Sequence, residues 1–271
     1  MASKKKKQDA SVPYQNKFAE SLLKISYRFS LPNVFDDFLT MTIAACTQNP
    51  LTKLSYYEDE YLQTIALYKD SELRHEFPKA FSQLVIEMEQ RVHSSAGNDV
   101  LGEFFELHLA EINKGQIFTP FPVCQFMASS IIGIQDTPEE NYPKRIIDPT
   151  CGSGRMLLAA HKLYGRKLQY FGIDIDLRCV KMAAINLFLN GVWNSEVMYA
   201  DALHSNDFDV SYRISLLPFG IFKIEEKEKS LLWNLYQNTF KRESRQDIPE
   251  IEFKPITTSE QQNDATQLRL F

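Results

Sequence analysis

"IIDPTCGSGRMLLAA", Ile146 to Ala160, decides how this chain is read. The short apolar run "KRIID" has strand length and strand character. It enters a turn of small residues and leaves it as "GRMLLAAHKLY", whose apolar positions recur at helical spacing. Gly152 and Gly154 allow the turn to be tight and a ligand to approach the backbone. A helix beginning near Arg155 aims its first N–H groups into the same space. The unit then repeats: "LQYFGID" leads into "LRCVKMAAINLFLNG", which leads into "EVMYAD". Strand, helix, strand, helix, strand is the pattern of a mostly parallel, doubly wound α/β sheet.

In such sheets ligands bind outside the carboxyl ends of the strands. Each strand here delivers an acid to that edge: Asp148, Asp174 and Asp201. Taken singly, each reads as a helix cap or a solvated strand end. In order, around a G-x-G turn, they read as a site. A dinucleotide fits poorly, because the third glycine of G-x-G-x-x-G is replaced by Leu157 and Asp148 beside the loop repels a pyrophosphate. An NAD-type oxidoreductase is therefore the weakest reading. A ligand with a cationic amino-acid part fits better, and S-adenosylmethionine (SAM) carries an ammonium and a sulfonium but no phosphate. Asp174 lies about 20 residues past Gly154, the spacing at which an acid accepts from ribose hydroxyls. Asp201, one strand further, is placed to accept from an adenine amino group. Upstream, "GQIFTP" sets Thr119 as an N-cap and Pro120 as the first residue of the apolar helix "FPVCQFMASSII".

The rest of the 271 residues bounds the setting. With 44% hydrophobic and 12% aromatic residues, the chain buries a sizeable core. The formal net charge of -5 excludes a nucleic-acid partner announced by bulk charge, so any basic surface is local. The run Lys4 to Lys7 is local, but it sits in a polar stretch that reads as a solvated tail. Cys46, Cys124, Cys151 and Cys179 form no C-x-x-C pair, and the five histidines show no H-E-x-x-H spacing, so no metal site is expected. No apolar signal region and no run of roughly 18 apolar residues is present, which makes a cytoplasmic protein the expectation. Residues 11–113 read as helical throughout, in segments such as "FAESLLKISYRF" and "FPKAFSQLVIEMEQRV". In "NDVLGEFFELHLAEINKG", Asp99 is the expected N-cap and Gly115 the expected stop.

Five stretches in order, "DVLGEFFELHLAEINKGQIFTP", "IIDPTCGSGRMLLAA", "FGIDID", "AAINLFLNG" and "ADAL", resemble the SAM-dependent adenine-specific DNA methyltransferases. Within these the chain is most similar to the modification subunits of type I restriction systems. The resemblance implies a Rossmann-like methyltransferase fold behind an N-terminal all-α domain, and methyl transfer from SAM to the exocyclic amino nitrogen of an adenine flipped out of duplex DNA. It further implies that Phe118, Thr119 and Pro120 line the methionine end of SAM. Asp148, Pro149, Gly152 and Gly154 form the main SAM loop, Asp174 takes the ribose hydroxyls and Asp201 the adenine amino group. The implied domain plan is a basic tail at 1–10, a helical domain at 11–113, a SAM-binding domain at 114–222, a helical extension at 223–250 and a tail at 251–271.

The family's catalytic loop, Asn (or Asp)-Pro-Pro-Phe/Tyr, follows the fourth strand. Its Asn side chain and first proline carbonyl accept from the target amino group, and its aromatic ring stacks on the base. The matching stretch here is "DFDVSYRISLLPFGIF". Pro218 and Phe219 match, but Leu216 and Leu217 stand at the Asn and first proline positions. Losing one oriented acceptor costs ~2.7–4 kcal/mol in a preorganised site. Weak or absent methylation with SAM binding retained is therefore expected, and Leu216→Asn with Leu217→Pro is expected to raise the rate. The alternative is a non-catalytic SAM- or DNA-binding accessory protein derived from this fold. Only a short stretch follows Gly220, so DNA recognition is expected to come from a specificity subunit or another partner. The chain ends "QLRLF", and Gln267, Leu268, Leu270 and Phe271 resemble the peptide by which bacterial replication and repair proteins dock on the sliding clamp.

Overall fold

Local sequence accounts well for the first half of the chain. The computed structural model describes residues 16–48, 55–68, 71–91, 97–110, 117–132, 144–204 and 207–243. Seven helices precede the first strand among the described residues: α1 Lys17–Ser26, α2 Leu31–Ala45, α3 Glu58–Ala66, α4 Ser71–Arg74, α5 Glu76–Gln90, α6 Val100–His108 and α7 Phe121–Ile132. Asn16 caps α1 by accepting from the Ala19 N–H at 2.9 Å, and Phe18, Leu22 and Ile25 form its buried stripe. Asp99 caps α6 as the spacing predicts, accepting from the Gly102 N–H at 2.8 Å. That helix stops at His108, and the expected stop at Gly115 lies outside the described residues. α7 starts one residue later than expected, so the Pro120 carbonyl, not Thr119, takes the cap position and accepts from Val123 and Cys124. Rings of Phe18, Phe35, Phe38 and Phe104 meet at centroid distances of 5.0–5.3 Å in the helical core.

The second half alternates as expected as far as its third strand: β1 Lys144–Asp148, α8 Arg155–Tyr164, β2 Leu168–Asp174, α9 Leu177–Leu189 and β3 Ser195–Tyr199. β1, β2 and β3 are parallel, and α8 and α9 share one face, packed on Tyr170, Val197 and Ile214. Side chains alternate along a strand. Phe171, Ile173 and Met198 therefore point to the other face, where they meet Leu232 and Trp233 of α10 Leu231–Glu243.

Beyond β3 the chain departs from the mostly parallel, doubly wound plan. β4 Val210–Ser215 pairs antiparallel with β3, and β5 Gly220–Ile224 pairs antiparallel with β4. The order is β1-β2-β3-β4-β5, with no reversal, and β1 is an edge strand. The connection from Tyr199 to Val210 is shorter than the roughly dozen residues a parallel crossover takes, so the chain turns back. A buried carboxylate fixes the pairing. Glu196 on β3 is 1% exposed and accepts from Ser211 Oγ at 2.8 Å, Arg213 Nη2 at 2.9 Å, Ser230 Oγ at 2.5 Å and the Leu231 N–H at 3.2 Å.

The helical half and the sheet share one continuous core. Arg178 Nη2 donates to Asp36 Oδ2 at 2.7 Å, Lys181 Nζ to Thr40 Oγ1 at 2.8 Å, and Thr47 Oγ1 to the Ile221 carbonyl at 2.8 Å. Among the described residues no helix is long and apolar enough to cross a membrane.

Candidate functional site

A cavity of about 410 Å³ opens at the carboxyl ends of β1 and β2. Phe118, Thr119, Asp148, Gly152 and Asp174, all singled out in the sequence, line it. The turn after β1 forms its floor. Cys151 N–H donates to the Ile173 carbonyl at 2.8 Å and Gly152 N–H to Asp174 Oδ2 at 2.8 Å, which ties the turn to the end of β2. Gly152 has φ +52°, and a Cβ there would lie 2.7 Å from the Phe118 ring. Gly154 has φ +83°, and its Cβ would lie 3.2 Å from Ala183 Cβ on α9. Both positions thus combine a left-handed backbone with a close approach, the combination glycine alone meets without strain.

Asp174 also accepts from the Asp176 N–H at 2.9 Å, and Asp148 from the Thr150 N–H at 3.2 Å. Burial pushes both carboxyls above the ordinary range, and for Asp148 the charge of Asp174 adds to the shift. The two acids thus line one partly buried cavity, a setting that favours a positively charged ligand or a hydroxyl donor. Cys124, Cys151 and Cys179 also line the cavity. Burial raises the Cys124 thiol to about 11 and the Cys151 thiol well above its usual value, so these are neutral packing groups rather than nucleophiles.

Other expected residues lie outside the cavity wall. Pro120, Pro149 and Gly154 flank it without lining it. Asp201 follows β3 and accepts from the Leu203 N–H at 2.8 Å and from His204 Nδ1. Those two bonds, the first more than the second, lower its pKa, so it stays ionised, at the same edge of the sheet as Asp174 but outside the cavity wall. Pro218 and Phe219 are not brought to the site at all. β4 runs antiparallel, with Ile214 opposite Ser195, so the turn Leu216 to Phe219 lies at the amino edge of the sheet, opposite Asp148 and Asp174. There Phe219 packs on Phe188 and Trp193 at 5.0 and 5.5 Å between centroids. The turn does follow the fourth strand, but that strand runs antiparallel to β3 and so ends at the edge away from Asp148 and Asp174. Residues 267–271 lie outside the described residues.

The sequence reading passed over the group beneath the cavity. Asp99, at the start of α6, accepts from Ser153 Oγ at 2.5 Å, Arg155 Nε at 2.8 Å and Asn186 Nδ2 at 2.7 Å. Asn186 also donates to the Ser153 carbonyl at 2.9 Å. One carboxylate from the helical half thus holds the glycine turn from below. The available signal was Asn186 itself, a lone amide inside the apolar run "AAINLFL" and fully buried on α9.

The sequence profile of the N-6 DNA Methylase family matches residues 96–262. The type I restriction enzyme MpnII methylase subunit of Mycoplasma pneumoniae is 23% identical over 195 residues, covering 68% of this chain and 35% of that protein. The MjaVII methylase subunit of Methanocaldococcus jannaschii is 26% identical over 161 residues, covering 53% of this chain and 26% of that protein. Among solved structures, the type I restriction-modification system methyltransferase subunit from Streptococcus thermophilus aligns at a TM-score of 0.34 with 18% identity, over 70% of this chain and 57% of that one. The chain spans about a third or less of the length of the two curated relatives it matches. The family match takes in α6, the glycine turn, both cavity acids and the sheet, well over half of the 271 residues. With the site in place, it shows that the chain belongs to the N-6 DNA methylase family.

Proposed function

We propose that the cavity between β1 and β2 binds S-adenosylmethionine, and that the chain serves methyl transfer to the exocyclic amino group of adenine in DNA. The observation that carries this reading is the pairing of Asp148 and Asp174 around the Gly152 turn in one cavity. The residues present fit the cofactor. Two carboxylates with raised pKa suit a ligand bearing cations and hydroxyls, and the left-handed backbone at Gly152 lets the turn close against Phe118 to shape the cavity wall. In this reading Asp174 accepts from the ribose hydroxyls, Asp148 faces the ammonium, Phe118 and Thr119 form the wall of the methionine end, and Asp201 reaches the adenine from the same edge of the sheet. The bound cofactor supplies an electrophilic methyl group on its sulfonium. Calorimetric titration of the chain with SAM tests the reading, and heat indistinguishable from buffer rejects it.

The position of Leu216 to Phe219 favours a second reading beside the first: this chain holds SAM, and the acceptors for the target base come from elsewhere in an assembly. Leu217 is 89% exposed at the far edge of the sheet. Leu216→Asn with Leu217→Pro is therefore expected to leave DNA methylation at the wild-type level, because the new acceptors sit at the wrong end of the strands. A radiolabelled methyl-transfer assay on DNA reads this directly. A rate increase of about 100-fold, the size of one restored oriented contact, would return the turn to the active site.

DNA and a specificity subunit are the partners this reading calls for, in the cytoplasm. A peptide of residues 262–271 is expected to bind a bacterial sliding clamp at micromolar affinity through Gln267, Leu268, Leu270 and Phe271. Replacing Leu270 and Phe271 by Ala is expected to abolish that binding. Absence of clamp binding by the full-length chain in surface plasmon resonance would remove the clamp from the proposal.

A further inference from the structure

The wall of the cavity at Ile117 to Pro120 belongs to no helix or strand, so something else must hold it. Its backbone is tied to α6. The Phe118 N–H donates to Glu106 Oε1 at 2.9 Å. The other carboxylate oxygen, Glu106 Oε2, accepts from Arg155 Nη2 at 2.9 Å. Arg155 Nη1 in turn donates to the Thr119 carbonyl at 3.3 Å, while its Nε is held by Asp99. Glu106 thus fixes the wall twice, once directly and once through the guanidinium. The ring of Phe118 is gripped as well. It stacks on Phe105 at 5.6 Å and 30°, lies 5.6 Å from Arg155 Cζ, and presses on Gly152 so closely that a Cβ there would clash. Glu106 itself does not line the cavity.

We propose that Glu106 is a positioning residue for the cofactor pocket: it sets Phe118 and Thr119 against the glycine turn, so that the pocket wall is built by the helical half of the protein. This deepens the SAM reading and rests on it. Two features of the geometry carry it. Glu106 is the acceptor for the Phe118 N–H, at the residue whose ring covers Gly152. Its side chain is 29% exposed, so it stands at the rim of the core and its loss leaves the α6 packing of Phe104 and Phe105 in place. A carboxylate that supports both a backbone donor and a buried guanidinium gives the wall one position rather than several.

The test uses the full chain with four variants: Glu106→Ala, Glu106→Gln, Phe118→Ala and the Glu106→Ala/Phe118→Ala pair. Two quantities are read, SAM affinity by calorimetry and hydrogen exchange at the Phe118 amide without ligand. Glu106→Ala is expected to weaken SAM binding about 10-fold and to speed exchange at Phe118 by a similar factor, the loss of one charge-assisted hydrogen bond. Glu106→Gln keeps an acceptor for the Phe118 N–H and is expected to stay within about 3-fold of wild type on both readouts. In the Phe118→Ala background, Glu106→Ala is expected to weaken binding less than it does in the wild type, because the part of its effect that passes through that ring is already gone. Equal weakening in both backgrounds overturns the proposal, as does a Gln variant as weak as the Ala variant. A wild-type chain that fails to bind SAM overturns the cofactor reading instead, and exchange at Phe118 still decides whether Glu106 holds the wall.

Discussion

Asp174→Ala is expected to weaken SAM binding by about 100-fold. The carboxylate has two duties in the proposed complex. It accepts from the Gly152 N–H at 2.8 Å and so holds the turn, and it faces the cavity where the ribose hydroxyls would lie. Hydrogen bonds to a charged group contribute roughly 1.5–3 kcal/mol, which corresponds to about 10-fold to over 100-fold in affinity. The acid's charge adds a pH dependence. Burial is the leading cause that raises the pKa of both Asp174 and Asp148. A carboxyl with a raised folded-state pKa holds its proton more tightly in the ligand-free fold than in the unfolded chain. The stability this gives is fully present below the unfolded value of ~3.9 and is lost as pH rises through the folded value. A cationic ligand favours the ionised forms instead. SAM affinity is therefore expected to rise as pH climbs from the acid range through the raised pKa values, and to level off once both acids are ionised. Calorimetry across mildly acidic to neutral pH reads it. A flat profile in the wild type, or an Asp174→Ala chain that binds as well as wild type, would remove Asp174 from the site.

Asp99→Ala is expected to lower the unfolding midpoint by on the order of 10 °C. The carboxylate is 2% exposed and takes four donors: Gly102 N–H, Ser153 Oγ, Arg155 Nε and Asn186 Nδ2. Removing it uncaps α6, leaves a buried amide and hydroxyl without their acceptor, and leaves the Arg155 guanidinium with Glu106 as its remaining carboxylate partner. Breaking a buried ion pair by deleting one member costs about 3–5 kcal/mol, and each kcal/mol lowers the midpoint of a chain of this size by roughly 2–4 °C. Asp99→Asn keeps an oxygen acceptor for part of the set and is expected to lose about half as much. Differential scanning calorimetry measures both. A midpoint within about 3 °C of wild type for Asp99→Ala would mean that the turn is held by its own backbone bonds rather than by α6.

Local rules wrote much of this protein into its sequence. The cap at Asp99, the strand "KRIID" and the helix after the glycine turn depend on neighbours a few residues away, and local chemistry is legible without a structure. The cavity acids were legible for the same reason. Asp148 and Asp174 stand at the ends of apolar runs, and parallel strands bring such ends to one edge.

What the sequence by itself determined is the βαβαβ unit and the two acids it gathers around Gly152. What only the tertiary structure decided is everything that depends on pairing at a distance. Whether β4 joins the sheet parallel or antiparallel turns on the length of its connection and on Glu196 meeting Ser211, Arg213 and Ser230, and that choice carries Phe219 from the expected active site to the opposite edge. Whether the helical half stands apart or builds the pocket turns on Asp99 and Glu106 meeting Arg155 across more than forty residues of chain. Spacing along a sequence fixes what a helix or strand does with its own neighbours, whereas a buried charge chooses its partners only once the fold has brought them together.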